Sequence, residues 1–334
     1  MRTYGEADAD VSALKNKTVG VLGYGAQGTA HALNLRDSGI DVLVAQRPGS
    51  PNHDRALADG FQPGSLADVA ARSDLVIMGL PDESAAELYE EYIAGGLRSG
   101  CALGFLHGFN ITFKFIEPPD NVDVVMISPK GPGSLVRSTY RETIGVPALM
   151  AVHQDATGRA RDIALAWAAG IGATRAGVFE TSFRTETCAD LFGEQVVLCG
   201  GMSALMLAAY EMLTTAGYEP EVAYFECIHE MKQIADLIYE HGISHMREQI
   251  SNTAEYGDLT RGPRLIDTRT RETMRILLAE IESGQFAREW MEENRSGLKC
   301  FKTLFELGAG HDSEPVGSRL RQHMPWLRAA TNNE

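Results

Sequence analysis

The sequence predicts two halves of different class: an α/β amino-terminal half built on a doubly wound parallel sheet, then an all-α carboxy-terminal half. Three observations carry this. Between Thr18 and about Gly177, short apolar runs alternate with longer amphipathic stretches, the pattern of strands buried on both faces and joined by crossover helices. After Val178 the β-branched runs fade and long stretches with a helical apolar period take over. A glycine-rich string directly follows the first apolar run and opens the first amphipathic one.

In chain order, Thr18–Leu22, Asp41–Ala45 and residues 74–79, 101–106, 123–128 and 146–152 read as buried strands. Residues 27–38, 83–93 and 158–171 read as helices between them, and strict alternation implies a parallel sheet covered on both faces. The second half reads as helices over roughly 190–213, 219–240, 269–281 and 285–293. The expected domains are a dinucleotide-binding unit at 1–180, a helical unit at 181–327 and a short tail at 328–334. From His311 onward the chain is polar and carries Pro315 and Pro325, so a loosely held end is expected.

A chain of 334 residues has the size of two domains, and 44% hydrophobic with 22% charged residues is an ordinary globular composition. The formal net charge of -15 repels phosphate backbones and anionic lipid, which argues against nucleic acid and membrane surfaces as partners. No apolar run approaches the roughly 20 residues that cross a bilayer, and the first ten residues are polar and acidic instead of signal-like. A cytoplasmic location is therefore expected. The five cysteines are odd in number and lack close pairing, which fits reduced structural thiols.

The string GYGAQG at residues 23–28 supplies Gly23, Gly25 and Gly28 between a strand and a helix. Such glycines allow a tight turn and close backbone approach to a pyrophosphate, while the helix N-terminus offers N–H donors, so a Rossmann-type dinucleotide site is expected. At the end of the next strand, a cofactor without a 2′-phosphate usually meets an acid. Here the chain reads Gln46, Arg47, Pro48, Gly49, Ser50, and a guanidinium with a hydroxyl suits a phosphate, favouring NADPH over NADH. Asn52 and Asp54 lie close by, and Asp54 would repel a phosphate if it turned inward. The loops at 79–84, 106–110 and 129–133 also leave carboxyl ends of strands, where such sheets place ligands, so His107 and Lys130 are aimed at the same crevice.

In the second half, Asp190 and Glu194, and again Glu226 and Glu230, are spaced i, i+4 on helices with apolar neighbours. Two carboxylates about 4 Å apart repel by about 4 kcal/mol at an effective dielectric near 20. If the four converge they need cations, and all-oxygen ligands suit Mg²⁺ or Mn²⁺. If they do not, each pair is a solvated acidic stripe. The segment around Ser251 either lines a substrate pocket or forms a capped loop.

Together these strings resemble the short (class I) ketol-acid reductoisomerase family, through GYGAQG (23–28), HGFN (107–110), PKGPG (129–133), DLFGEQ (190–195), AYFECIHE (223–230), ISNTAEYG (250–257) and MPW (324–326). The resemblance implies two Mg²⁺ ions per site held by Asp190, Glu194, Glu226 and Glu230, with Asp190 bridging. It implies Ser251 as the substrate-carboxylate contact, His107 and Lys130 as active-site polar residues, and Glu230 as a ligand that also moves protons. Tyr24, Gly25, Ala26, Gln27, Arg47, Ser50, Asn52, Asp82, Glu83, Ser84, Ala85 and Gly133 are the implied cofactor contacts, to NADPH or NADH. The implied activity converts a 2-acyl-2-hydroxy acid such as 2-acetolactate or 2-aceto-2-hydroxybutyrate to a 2,3-dihydroxy-3-methyl acid, in valine and isoleucine biosynthesis. The implied assembly is an intertwined homodimer, alone or within an assembly of dimers, in which the partner completes each site. Thr29, Asn52, Ala85 and Ser134 depart from the family's common residues, none of them at a metal ligand.

Overall fold

The computed structural model describes residues 1–327, so the expected tail at 328–334 lies outside the described residues. The chain divides into two compact units, Met1–Ala189 and Asp190–Glu334.

The first unit holds one sheet of eight strands: β1 (Thr3–Tyr4), β2 (Thr18–Leu22), β3 (Asp41–Ala45), β4 (Leu75–Met78), β5 (Ala102–Phe105), β6 (Asp123–Pro129), β7 (Ala148–Gln154) and β8 (Val178–Glu180). Their order is β1-β8-β7-β6-β5-β4-β2-β3. The helices between them are α1 (Ala26–Asp37), α2 (Pro51–Ala58), α3 (Leu66–Arg72), α4 (Asp82–Leu88), α5 (Phe109–Thr112), α6 (Gly133–Arg141) and α7 (Ala160–Gly170). All six expected strands form, and the short edge strands β1 and β8 join them. The strictly parallel sheet needs correction: β7 pairs antiparallel with β6, and β1 with β8. The excursion between β6 and β7 leaves and re-enters the same end of the sheet, with Pro129 opposite Ala148 and the Lys130 N–H donating to Pro147 O at 2.8 Å. Apolar periodicity reports burial and carries no strand direction.

Alternation along the strands feeds two cores. Val19 and Val21 of β2 and Leu75 and Ile77 of β4 pack on one face, while Leu22, Val76 and Met78 pack on the other. Trp167 of α7 is fully buried in the first core, and a Cβ on Gly104 would lie 2.8 Å from its ring, so the glycine makes room for the indole. Its Nε1–H donates to His31 Nδ1 at 3.0 Å. Burial pushes the His31 imidazole down to about 3.

The second unit begins within α8 (Phe183–Gly193) and continues as α9 (Gly200–Thr215), α10 (Pro220–Tyr224), α11 (Met231–His241), α12 (Ile243–Gln249), α13 (Asn252–Leu265), α14 (Thr268–Glu282), α15 (Gln285–Arg295), α16 (Lys299–Ala309) and α17 (Ser313–Arg321). Its compact apolar cluster is small, with Tyr210, Ala223, Tyr224 and Val316 buried. Two expectations are corrected here. As far as the described residues reach, the chain after His311 is held through α17, where a Cβ on Gly317 would lie 2.4 Å from the Tyr224 ring, and Met324 is buried. The helical run Phe183–Thr215 is long and apolar enough, by length and composition alone, to cross a membrane, because single polar residues interrupt its apolar pattern without lowering its average.

Candidate functional site

In the first unit the site begins where β2 ends. Gly23 adopts a φ of 98°, and a Cβ there would lie 2.4 Å from Gly79 O. A Cβ on Gly28 would lie 2.1 Å from Gly23 O, so only glycine lets α1 start this close to the turn. Gly25 caps α1 with no side-chain acceptor, leaving the first-turn N–H groups of a 12-residue helix without a cap from this residue. Gly133 packs the start of α6 onto this turn, since a Cβ there would lie 2.2 Å from Ala26 O.

A cavity of about 610 Å³ opens beside the turn, lined by Gly23, Tyr24, Gly25, Gln46, Arg47, Asn52 and Ser84 among others. Tyr24 contributes backbone to this wall: its ring is buried edge-on against Phe61 and its hydroxyl donates to Asp59 at 2.8 Å. The Tyr24 N–H donates to Gln46 Oε1 at 2.8 Å. Ser50 caps α2 by accepting from the His53 N–H at 3.2 Å and is absent from the cavity wall. Asp54 is exposed beside His53 and is likewise absent from it.

A second cavity, of about 320 Å³, adjoins the first through Gly79, Leu80 and Pro81 and is lined by Gln27, Asp82, Ala85, His107 and Asn110. Gln27 Nε2 donates to Gly131 O at 2.9 Å, and Asn110 Nδ2 donates to Asp82 O and Oδ1 at 3.2 and 3.3 Å. Gln27 Oε1 and Asn110 Oδ1 are buried without a donor. Orphaned acceptors beside a cleft are suited to a bound group that brings N–H or O–H donors, as a dinucleotide does. Burial raises the Asp82 carboxyl to about 6, against the lowering effect of the His107 charge.

The carboxylate that organises this end is Glu186 of α8, which the sequence reading missed. Its side chain is fully buried. His107 Nδ1 lies 3.0 Å from Oε2, Lys130 Nζ lies 3.0 Å from Oε1, the Ser128 hydroxyl donates to Oε1 at 2.7 Å, and the Gly108 N–H donates to Oε2 at 3.2 Å. Burial alone would raise its pKa, but the His107 hydrogen bond, the charges of His107 and Lys130 and the Ser128 hydroxyl outweigh it, leaving the carboxyl at about 2. The signal was present: Glu186 stands one helical turn before Asp190, extending the i, i+4 stripe backwards.

In the second unit, both acid pairs meet a π-helical turn. Glu194 opens the turn Glu194–Leu198, and Glu226 lies in the turn Phe225–His229, directly before Glu230. These turns close with the Cys199 N–H on Glu194 O at 2.9 Å and the Glu230 N–H on Phe225 O at 3.1 Å, a local geometry frequent at functional sites. Asp190 is half-buried, while Glu194, Glu226 and Glu230 are exposed. Among the described residues of one chain, no cluster of three or more ligand-type side chains includes Glu194, Glu226 or Glu230. Ser251 is exposed and caps α13, its hydroxyl accepting from the Ala254 N–H at 3.2 Å.

The model of the acetohydroxy acid isomeroreductase NADPH-binding domain matches residues 13–177, and that of the ketol-acid reductoisomerase C-terminal domain matches residues 183–326. An NADH-preferring ketol-acid reductoisomerase from an uncultured archaeon is similar at 45% identity and a TM-score of 0.93, over 96% of this chain and 99% of that one. A semialdehyde dehydrogenase NAD-binding protein from Cupriavidus necator shares the fold at 18% identity and a TM-score of 0.61, over 80% of this chain and 98% of that one. A putative oxidoreductase from Jannaschia sp. does so at 15% identity and a TM-score of 0.58, over 80% and 97%.

Proposed function

The chain belongs to the ketol-acid reductoisomerase family, and from that premise we propose that it rearranges and reduces 2-acetolactate or 2-aceto-2-hydroxybutyrate with NADPH or NADH and Mg²⁺. The enzyme class is an NAD(P)H-dependent oxidoreductase and isomerase of branched-chain amino acid biosynthesis. The product is the 2,3-dihydroxy-3-methyl acid, and the reaction runs in the cytoplasm.

The observation that carries this reading is Glu186, which ties His107 and Lys130 together at the edge of the smaller cavity. A buried anion with two cationic or proton-bearing partners fixes their positions and keeps their polar ends directed to one place. His107 and Lys130 then orient the substrate's oxygens and hold protons near the reacting carbons. The glycine turn and the α1 N-terminus hold the pyrophosphate; Gln27, Asp82 and Ala85, on the wall of the smaller cavity, flank the reducing end of the cofactor, and Ser84 on the wall of the larger cavity, with Glu83 and Gly133, completes the cofactor contacts. The bound nicotinamide supplies hydride.

Asp190, Glu194, Glu226 and Glu230 form an all-oxygen donor set that fits two Mg²⁺ ions. Such ions, when bound, act as Lewis acids toward the substrate's hydroxyl and ketone oxygens, which favours alkyl migration before reduction. Because no cluster of three ligand-type side chains among the described residues of one chain includes Glu194, Glu226 or Glu230, we assign the complete set to a homodimer. The exposed apolar side chains of the second unit, among them Met202, Leu205, Phe301, Leu304 and Phe305, support that assembly. Glu230 doubles as the proton carrier and Ser251 contacts the substrate carboxylate. The test follows NADPH and NADH absorbance with 2-acetolactate, with Mg²⁺ and with a strong chelator. Consumption that requires Mg²⁺ is expected; consumption that survives the chelator would point to a metal-free hydroxy-acid reductase instead.

A further inference from the structure

Lys130 belongs to a short link, residues 130–132, between the end of β6 and the start of α6. The link is tied to two different parts of the first unit. The Lys130 N–H donates to Pro147 O at 2.8 Å, and its Nζ lies 3.0 Å from the buried Glu186. The next carbonyl, that of Gly131, accepts instead from Gln27 Nε2 at 2.9 Å, and Gln27 stands in the first turn of α1, beside the glycine turn. Behind that bond α1 and α6 are held together. A Cβ on Gly133 would lie 2.2 Å from Ala26 O, and Asn34 Nδ2 donates to Val136 O at 3.2 Å. Arg137 bridges Asn34 Oδ1 and Asp37 Oδ2, each at 2.7 Å.

The Gln27 amide is engaged at one end only. With Nε2 on Gly131 O the group cannot turn over, so Oε1 is the end left for a partner. That oxygen is buried without a donor, in a side chain that lines the smaller cavity. A bound N–H or O–H would recover what the orphaned acceptor costs.

We propose that Gln27 is a positioning residue for Lys130 that responds to the cofactor: Oε1 accepts an N–H or O–H from the nicotinamide riboside half of the dinucleotide, and Nε2 passes the constraint to the Gly131 carbonyl, one residue from Lys130. The inference rests on the NAD(P)H-dependent reading of the chain. Held by one bond, the amide swings about its Gly131 contact; held by two, it is fixed at both ends, and the link is fixed with it. By linkage, whatever steadies the link also tightens the hold on the nucleotide.

The test measures amide hydrogen exchange of the full chain with and without NADPH, with fragmentation that separates Lys130 and Gly131 from Gly133. In the wild type, NADPH is expected to slow exchange at Lys130 and Gly131 about fivefold, the scale of one added hydrogen bond. Gln27→Met keeps the length of the side chain and removes both polar ends. It is expected to abolish that slowing while residues 23–28 remain protected by the nucleotide. Its NADPH Kd, read by nucleotide fluorescence, is expected to rise no more than about fivefold, whereas kcat falls about thirtyfold as Lys130 loses its place. In a Lys130→Arg background the same substitution is expected to cost less than about twofold, because both losses act through one group. A side chain that only packs the link would leave the slowing by NADPH in place. Wild-type slowing at Lys130 and Gly131 in Gln27→Met, or losses that multiply in the double variant, overturns the inference. So does a wild type that binds NADPH with no slowing at those two amides. A wild type that binds neither NADPH nor NADH overturns the cofactor reading itself, a result distinct from these.

Discussion

The two units bury their apolar residues very differently. The first packs both faces of its sheet, so that Trp167, Leu103, Ile77 and Met126 are fully buried within one chain. The second is richer in long apolar helices, yet Met212, Leu304, Phe305 and Leu307 are each more than 60% exposed. A sheet with helices on both sides closes its own core. A set of amphipathic helices closes a core only where their apolar faces meet, and in one chain these four side chains stay at the surface. The first unit therefore closes its own core, whereas the second leaves these apolar side chains at the surface of one chain.

Three experiments would break or sharpen that contrast. The largest effect is expected from Asp190→Asn, which should lower turnover at least a thousandfold and abolish Mg²⁺ binding while changing the NADPH Kd less than about twofold. Calorimetry with metal and fluorescence with nucleotide separate the two, and retained turnover would remove Asp190 from the metal set.

Next in size is Glu186→Gln within the first unit. Losing the buried charge that His107 and Lys130 face should cost about 3 kcal/mol of stability and slow turnover by about a hundredfold. The acid limb carries a sign that can be checked. The Glu186 carboxyl is held at about 2 against an ordinary 4.5, so its contribution is complete above about pH 4.5 and is lost as pH falls toward 2. His31, held near 3 by burial against an ordinary 6.5, adds a loss of stability as pH falls from 6.5 toward 3. Acid titration of Glu186→Gln should therefore keep the upper, His31 part of the curve and lose the lower one. An identical acid profile would show that the buried carboxylate contributes nothing there.

The smallest effect concerns assembly. If the exposed helices are covered by a second copy, a tenfold dilution should lower the unfolding midpoint of the second unit by roughly 3 °C and leave the first unit's unchanged. Midpoints independent of concentration in both units would mean that the apolar helices need no partner.

Much of the first unit was legible in the sequence because its signals are local. A buried strand needs a short apolar run, and a pyrophosphate turn needs glycines at fixed spacing, so β2 to β7 and residues 23–28 could be read directly. Strand direction was not legible, since the excursion between β6 and β7 returns to the end of the sheet it left through turns at Thr143 and Gly145 that leave no mark on periodicity. In the second unit, the Ser251 segment left two readings open; the structure makes Ser251 the cap of α13, and its part in substrate binding stays a proposal. The π turns at Glu194–Leu198 and Phe225–His229 had no sequence signal, because a π turn inserts one residue into an otherwise unbroken helical pattern.

The sequence by itself determined the fold class, the glycine turn, the spacing of the two acid pairs and the family. Those depend on residues a few positions apart, whose relations are fixed by the order of the chain before it folds. Only the tertiary structure decided that Glu186 gathers His107, Ser128 and Lys130, that Ser50 is hydrogen-bonded within its own loop while Gln46 lines the cavity, and that among the described residues of one chain Glu194, Glu226 and Glu230 join no cluster of three ligand-type side chains. Each of these turns on groups brought together from separate strands and helices, and on hydrogen-bond capacity already used elsewhere, which no local pattern records.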